Sequence, residues 1–267
     1  ELFGNSCVAK INQSPEAVGF SRLNNSVYMS KRGTLTPDHV IRTKPFPWII
    51  NKDLDMSAKS FTTNYSNYFE KNAKNGIKRL DSAPRWALWK NYGTISFGTS
   101  LKSANIVHDI NNHTIRAMQL SNSIDSWKPI SHKELFEVEY WDLEQAKLRN
   151  KSLTPEFLGK IAIITGTASG IGFACAEKLL NLGCVVVGLD KNKKVKKIFN
   201  DNVNYLGLEC DLVKTNEVKK SVENAVRSFG GIDILISNAG VFSSTENLDK
   251  ISDKKWSTDI DINLTSH

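Results

Sequence analysis

Apolar and polar positions follow two different rhythms along this chain. From residue 160 onward, short unbroken apolar runs alternate with stretches of helical period. Ile161-Ala162-Ile163-Ile164 is the first such run. It has no polar alternation, the pattern of a strand buried on both faces of a parallel sheet, and it predicts a strand over 160–165. A glycine-rich stretch follows, then a predicted helix over 170–182 whose apolar stripe reads Ile171, Ala174, Cys175, Leu179 and Leu182, with Gly183 as its stop. A second strand, 185–189, ends at Asp190. A strand over 203–208, a helix over 216–229, a strand over 233–237 and a helix from about 252 complete the alternation. The helix over 216–229 carries Val218, Val222, Ala225, Val226 and Phe229 as one apolar face. Strands alternating with helices predict an α/β fold with a doubly wound parallel sheet.

Residues 1–150 are less regular. Ser14-Pro15-Glu16 marks a helix start, Gly33 to Pro37 a turn, and Trp48-Ile49-Ile50 a short strand. Thr62 to Ala73 reads as helix. Arg85 to Lys90, a turn at Asn91-Tyr92-Gly93, and Thr94 to Phe97 read as a hairpin. A long helix is expected from Ser100 to Leu120, with Ile106, Val107, Ile110, Ala117 and Met118 apolar. Another is expected from Leu135 to Leu148. Glu134, Glu137, Glu139 and Glu144 read as its solvated face, and 151–155 as linker.

Composition changes this picture little. The chain has 267 residues, 40% hydrophobic and 24% charged, which is ordinary for globular proteins. The net charge of +7 comes from scattered lysines. The densest cluster, Lys191 to Lys197, is expected in a surface loop and helix, so no nucleic-acid partner is expected. The four cysteines, Cys7, Cys175, Cys184 and Cys210, form no C-x-x-C pair. Three of them fall at predicted buried positions, which points to core residues in a reducing compartment rather than disulfides or a metal site. No apolar run has the length of a membrane span and no signal peptide is evident. A cytoplasmic protein is expected. Residue 1 is Glu and the last residues fall inside a predicted helix, so an internal fragment of a longer protein is expected.

The chemistry concentrates at the glycines. Gly166 permits a sharp exit from the strand. Gly170 and Gly172 would let backbone approach a pyrophosphate. The helix that starts there offers free N–H groups and the positive end of its dipole to an anion. Asp190, twenty residues past Gly170, stands where an acid grips ribose hydroxyls. With no Arg or Lys at Thr167, Ala168 or Ser169, this favours NAD over NADP, although Lys191 argues against it.

The glycine spacing is G-x-x-x-G-x-G. Thr165-Gly166-x-x-x-Gly170-Ile171-Gly172 resembles the cofactor motif of the short-chain dehydrogenases/reductases, with Ser169 inside it. Cys210-Asp211-Leu212 resembles that family's adenine-contacting segment. Ser237-Asn238-Ala239-Gly240 resembles its Asn-Asn-Ala-Gly element, and Trp256 with Asn263-Leu264-Thr265 resembles the helix bearing a catalytic Asn. The resemblance covers about 110 residues. It implies a partial Rossmann sheet in the order 3-2-1-4, NAD as cofactor, and Asn263 as a link in the proton relay. It implies hydride transfer between nicotinamide and a hydroxyl or carbonyl of a small sugar-derived substrate. The family's acid/base pair, Tyr-x-x-x-Lys, occurs nowhere in the 267 residues, so the fragment alone is expected to be inactive.

The first region also carries a resemblance. Gly33 to Lys44, Arg79 to Arg85 and Phe136 to Lys147 resemble the bifunctional class II (rhamnulose-1-phosphate-like) aldolase/short-chain dehydrogenases. The resemblance implies an α+β end of the aldolase half over 1–150, a linker over 151–156 and a truncated dehydrogenase domain over 157–267. The family's zinc-binding His-x-His is not in this sequence, so no metal ligand is assigned. His108 and His113 lie five apart, about 140° around a helix, and do not share a face. His39, with Asp38, Arg42 and Lys44, could contact a sugar phosphate or simply hold a turn. A homo-oligomer is expected for the full-length protein. Two alternatives stay open: a parent acting mainly as a lyase, and a nucleotide-binding module without catalysis.

Overall fold

The computed structural model describes residues 6–148, 154–242 and 247–266. It divides into two compact units, residues 1–153 and 154–267. Residues 151–153 of the expected linker lie outside the described residues.

In the first unit a four-stranded sheet has the order β1-β4-β3-β2. Its strands are β1 (Val8–Asn12), β2 (Trp48–Ile50), β3 (Trp86–Trp89) and β4 (Gly93–Gly98). β3 and β4 form the expected hairpin, with Asn91 in the left-handed region at φ 71°. β1 was not anticipated. It pairs antiparallel with β4 and closes that edge. Helices α1 (Pro15–Arg22), α2 (Ser26–Ser30) and α5 (Leu101–Ile124) bury Phe20, Met29, Val107, Ile115 and Met118 with Trp86 and Leu88 of the sheet. Ser14 caps α1 with Pro15 at its first position, as expected. The α5 stripe is rotated from expectation. Ala104, Asn111 and Thr114 are buried, whereas Ile106, Ile110 and Ala117 are only partly so.

A second, aromatic cluster joins Phe46, Phe61, Tyr65, Tyr68 and Phe136. It brings together α4 (Leu54–Asn72), α6 (His132–Glu139) and the segment that follows α3 (Val40–Thr43). α4 starts eight residues before the expected Thr62 because Asp53 caps it, accepting from Met56 N at 2.9 Å. The expected single helix over 135–148 is two helices, α6 and α7 (Asp142–Ala146), broken at Tyr140-Trp141. The break turns Glu139 and Glu144 inward, so they are buried rather than a solvated face.

The second unit is the expected parallel sheet. β5 (Ile161–Thr165), β6 (Val185–Asp190), β7 (Tyr205–Glu209) and β8 (Ile234–Ile236) lie in the order β7-β6-β5-β8. This is the 3-2-1-4 order counted within the unit. β7 sits one to two residues later than expected. All five residues of β5 are buried, which explains its unbroken apolar run. Two helical stripes differ from expectation. In α8 (Gly170–Asn181) the buried face is Gly172, Ala176 and Leu180, packed on Ala162, Ile164 and Val186. Ile171 and Ala174 are exposed. In α9 (Thr215–Phe229) Ser221, Ala225 and Phe229 are buried while Val222 and Val226 are exposed. A serine hydroxyl is tolerated inside because it donates to the Glu217 carbonyl. The unit closes with α10 (Asp253–Ile260) and a π-helical turn over Asp261–Thr265. The four cysteines form no disulfide, and Cys175 is half-buried rather than buried. Among the described residues no helix is long and apolar enough to cross a membrane.

Candidate functional site: a cleft at the ends of the parallel strands

A parallel sheet directs the C-terminal ends of its strands to one edge, where the loops leave room for a ligand. Here β5, β6, β7 and β8 open into a cleft of about 370 Å³. Gly166, Ser169 and Ile171 line it from the glycine turn, Asp190 from β6, and Asp211 and Leu212 from the loop after β7. Asn238, Ala239 and Gly240 line it from the loop after β8. Nine of the thirteen residues read from sequence therefore meet at one surface. Ile171 is 74% exposed, because it faces this cleft rather than the sheet.

Thr165, Gly170, Gly172 and Asn263 do not line the cleft but shape its wall. Thr165 Oγ1 accepts from the N–H of Asn238 and of Ala239, each at 2.9 Å, and the Asn238 amide donates to the Thr165 carbonyl at 2.9 Å. These three bonds lock the loop after β8 to the end of β5. The two helix-start glycines have different reasons. A Cβ on Gly170 would meet nothing within 4 Å, and its φ of 58° is what demands glycine. A Cβ on Gly172 would overlap the Gly166 carbonyl and stand 2.6 Å from Asn238 Nδ2. Gly172 thus permits close packing of helix against strand. Of the two glycines expected at a pyrophosphate, Gly172 packs against the Gly166 carbonyl, while the space beside Gly170 is open.

The Asp190 carboxylate is held on both oxygens. Oδ2 accepts from Ala168 N at 2.9 Å and Oδ1 from Asn192 N at 2.8 Å. It is fixed at the mouth of the glycine turn beside Lys191, which also lines the cleft. Asp211 Oδ1 accepts from Val213 N at 3.3 Å, and its own N–H donates to Glu217 at 2.9 Å. The Asn263 side chain is spent on one residue, accepting from Val241 N and donating to Val241 O, both at 2.8 Å. The π turn brings it there and places Ile262 against the cleft. Leu189, Cys210, Val213, Val241 and Ile262 were missed in the sequence. Each is the sequence neighbour of a recognised residue, Ile262 of Asn263, and the π turn brings Ile262 to the cleft.

In the first unit Lys44 stands apart from the polar group around His39, which could contact a sugar phosphate or simply hold a turn. Lys44 is buried, with Nζ donating to the Asp81 carbonyl at 2.7 Å and lying 3.6 Å from the centre of the Tyr65 ring. It cannot face a ligand alongside Asp38 and Arg42. Asp38 accepts from Thr36 Oγ1 at 2.6 Å, the bond that holds its carboxyl below the usual range. Among the described residues no group of three or more His, Cys, Asp or Glu side chains is placed to hold a metal.

Two family models match the chain. Residues 2–148 match "Aldolase class II, second domain" and residues 160–267 match "short chain dehydrogenase". The chain is 30% identical over 253 residues to "Uncharacterized oxidoreductase YuxG" of Bacillus subtilis (strain 168), covering 88% of this chain and 37% of that protein. It is 34% identical over 110 residues to the 3-oxoacyl-[acyl-carrier-protein] reductase FabG of Buchnera aphidicola, covering 40% and 44%. A solved structure, the 3-ketoacyl-(acyl-carrier-protein) reductase of Brucella melitensis complexed with NADH, aligns at 29% identity. It covers 40% of this chain and 46% of that chain at a TM-score of 0.40. The chain spans less than half the length of each of these proteins.

Proposed function

From the premise that this chain belongs to the class II aldolase second-domain family and continues into a short-chain dehydrogenase domain, we propose that its second unit binds NAD for an oxidoreductase. The observation that carries this reading is the cleft itself. Glycine turn, acid-ended strand, Asp211-Leu212 and Asn238-Ala239-Gly240 converge on one cavity, and Gly170 leaves open the space a phosphate needs.

In this reading the free amides at the start of α8 face the pyrophosphate. Asp190, its orientation set by Ala168 and Asn192, accepts from the adenosine ribose hydroxyls and repels a 2′-phosphate. Asp211 and Leu212 border the adenine. When bound, the nicotinamide supplies or accepts the hydride exchanged with a hydroxyl or carbonyl of a small sugar-derived substrate. Asn263 contributes by holding the Val241 backbone at the cleft wall. Its part in a proton relay is carried by family resemblance.

The test is a pair of titrations of the chain with NAD and NADP, in the wild type and in Asp190→Ala. The wild type is expected to bind NAD at least about tenfold more tightly, a difference on the order of 1.4 kcal/mol. Asp190→Ala is expected to bring the two affinities together. A wild type that prefers NADP would overturn the role given to Asp190.

A further inference from the structure

The lysine-rich segment after Asp190 is seated on the sheet. Lys191 and Asn192 lead from β6 into a 3-10 turn, Lys193–Lys196. Within that turn Val195 is fully buried while its lysine neighbours are exposed. Two glycines make the seat. Gly188 of β6 and Gly207 of β7 are register partners across the sheet. A Cβ on Gly207 would overlap the Val195 carbonyl. A Cβ on Gly188 would collide with the Tyr205 hydroxyl and with Thr167 Oγ1, both within 2.5 Å of it. Glycine inside a strand weakens it and marks the close approach of another group. Here the pair opens a trough in which the Tyr205 side chain reaches over β6 and the turn settles on β7.

Tyr205 fastens the segment in that trough. It precedes Gly207 by two residues, so its side chain leaves the same face of β7. Its ring meets Phe199 edge to face at 5.0 Å, and Phe199 stacks on Phe173 of α8 at 4.9 Å. Its hydroxyl donates to the Val195 carbonyl at 2.9 Å. Burial pushes that hydroxyl up to about 12, so it remains a donor at neutral pH. The same hydroxyl lies beside the buried Thr167 of the glycine turn.

These contacts close a circuit that contains Asp190. Val195 N donates to the Asn192 carbonyl at 3.0 Å, and Lys194 N donates to Asn192 Oδ1 at 3.0 Å. Asn192 N donates in turn to Asp190 Oδ1 at 2.8 Å, and Ala168 N donates to Asp190 Oδ2 at 2.9 Å. Ala168 follows Thr167, which returns the circuit to Tyr205. By itself the Asp190–Asn192 bond spans two residues and turns with its own loop. The anchored 3-10 turn and the glycine turn hold the carboxylate from both ends. One phenol thus joins the segment after Asp190 to the turn that carries Gly166 and Ser169, and Asp190, Gly166 and Ser169 all line the cleft.

We propose that Tyr205 is a positioning residue of the cofactor cleft: through Val195 and Thr167 it fixes the Asp190 carboxylate at the adenosine ribose and thereby sets the discrimination between NAD and NADP. Tyr205 is not among the residues that line the cleft, so it acts through Asp190. The inference rests on the NAD reading of the second unit.

The experiment uses the full chain. Tyr205→Phe keeps the ring over Gly188 and removes the hydroxyl. NAD and NADP are titrated separately into wild type, Tyr205→Phe, Asp190→Ala and the double variant, and amide hydrogen exchange is followed without cofactor. Tyr205→Phe is expected to lower the ratio of NAD to NADP affinity by about three- to tenfold, the worth of one hydrogen bond. Exchange at the Ala168 and Asn192 amides is expected to quicken by about as much, with exchange in α9 unchanged. Because Tyr205 acts through Asp190, the double variant is expected to show the ratio of Asp190→Ala alone. Gly207→Ala, which displaces the Val195 carbonyl from the neighbouring strand, is expected to lower the ratio in the same way as Tyr205→Phe. An unchanged ratio in Tyr205→Phe, an equal weakening of both cofactors, or a further fall in the double variant would overturn the role of Tyr205 and leave the NAD reading intact. A wild type that binds neither cofactor would overturn both.

Discussion

Thr165 and Asn238, seventy-three residues apart, are joined by two hydrogen bonds, both donated by Asn238. The Asn238 N–H donates to Thr165 Oγ1 and the Asn238 side-chain amide donates to the Thr165 carbonyl, each at 2.9 Å. Thr165 Oγ1 also accepts from Ala239 N at 2.9 Å. One hydroxyl therefore satisfies two backbone donors that have left the sheet, and it ties the last residue of β5 to the cleft loop after β8.

Thr165→Val, similar in shape but without the oxygen, is expected to lose about 1–3 kcal/mol of stability because two partly buried N–H groups lose their acceptor. NAD affinity is expected to fall as the 238–240 loop loosens. Thr165→Ser keeps the oxygen and is expected to retain most of both. Denaturant unfolding and NAD titration of the two variants check this. Equal behaviour of Val and Ser would show that the hydroxyl does not hold the loop.

The two glycines at the start of α8 are expected to separate by substitution. Gly172→Ala drives a Cβ into the Gly166 carbonyl and toward Asn238, and is expected to cost about 1–3 kcal/mol or more as helix and strand are forced apart. Gly170→Ala meets no atom. Its cost is that of a left-handed φ of 58°, about 1–2 kcal/mol, together with weaker NAD binding where a methyl stands in the pyrophosphate's approach. The comparison needs thermal unfolding and NAD titration side by side. A Gly172→Ala variant as stable as wild type would contradict the close packing.

In the first unit, Lys44 Nζ lies 4.0 Å from Glu139 Oε1, and both side chains are buried. Tyr65 OH also donates to Glu139 Oε1 at 2.9 Å. Lys44→Met leaves a buried carboxylate without its cation and is expected to destabilise the unit by about 3–5 kcal/mol. Lys44→Met/Glu139→Gln removes the charge and keeps an acceptor for Tyr65, and is expected to recover most of that loss. A double variant no more stable than Lys44→Met alone would mean that the penalty is lost packing rather than unpaired charge.

The same pair sets a pH response. Burial pulls Lys44 down to about 8 against the opposing pull of Glu139. An unfolded lysine keeps its proton to about 10.4. Between these values the unfolded chain binds more protons, so stability rises with pH from about 8 upward. Burial raises Glu139 despite Lys44, so its contribution has the opposite direction and falls as pH rises above its unfolded value. Burial also holds the Cys7, Cys184 and Cys210 thiols above their ordinary value, which lowers stability over the same range in both proteins. Denaturation at pH 7.5 and 9.5 is therefore expected to show wild type gaining stability relative to Lys44→Met. A wild type less stable at 9.5 than at 7.5, by as much as the variant, would refute the depressed Lys44.

Local chemistry in the chain was enough to specify the second unit's strands, the burial of β5 and β6, and the glycine turn and Asp190 of the cleft. Asp211-Leu212 and Asn238 to Gly240 were legible only through the family resemblance. The unbroken apolar runs of β5 and β6 suit a sheet covered on both faces, whereas in β8 the run Ile234-Leu235-Ile236 leaves Leu235 67% exposed. Glycines at 166 and 170 are demanded by φ values of 70° and 58° that other residues adopt at a cost. Those constraints act within a few residues and leave their mark in the order of residue types. Which face of a helix is buried is a different matter. The α8 face differs from the sequence reading by about one residue, and Val222 and Val226 on α9 are exposed, because the neighbour and not the helix selects the buried stripe. Lys44 and Glu139 are the clearest case. Glu139 reads as part of a solvated face and Lys44 as one of the polar group around His39, yet the ninety-four residues between them fold so that α3, α4 and α6 enclose them together. Burying an ion costs free energy unless a counter-charge and hydrogen bonds meet it, and only the tertiary structure brings Glu139, the Asp81 carbonyl and the Tyr65 ring to the same amine.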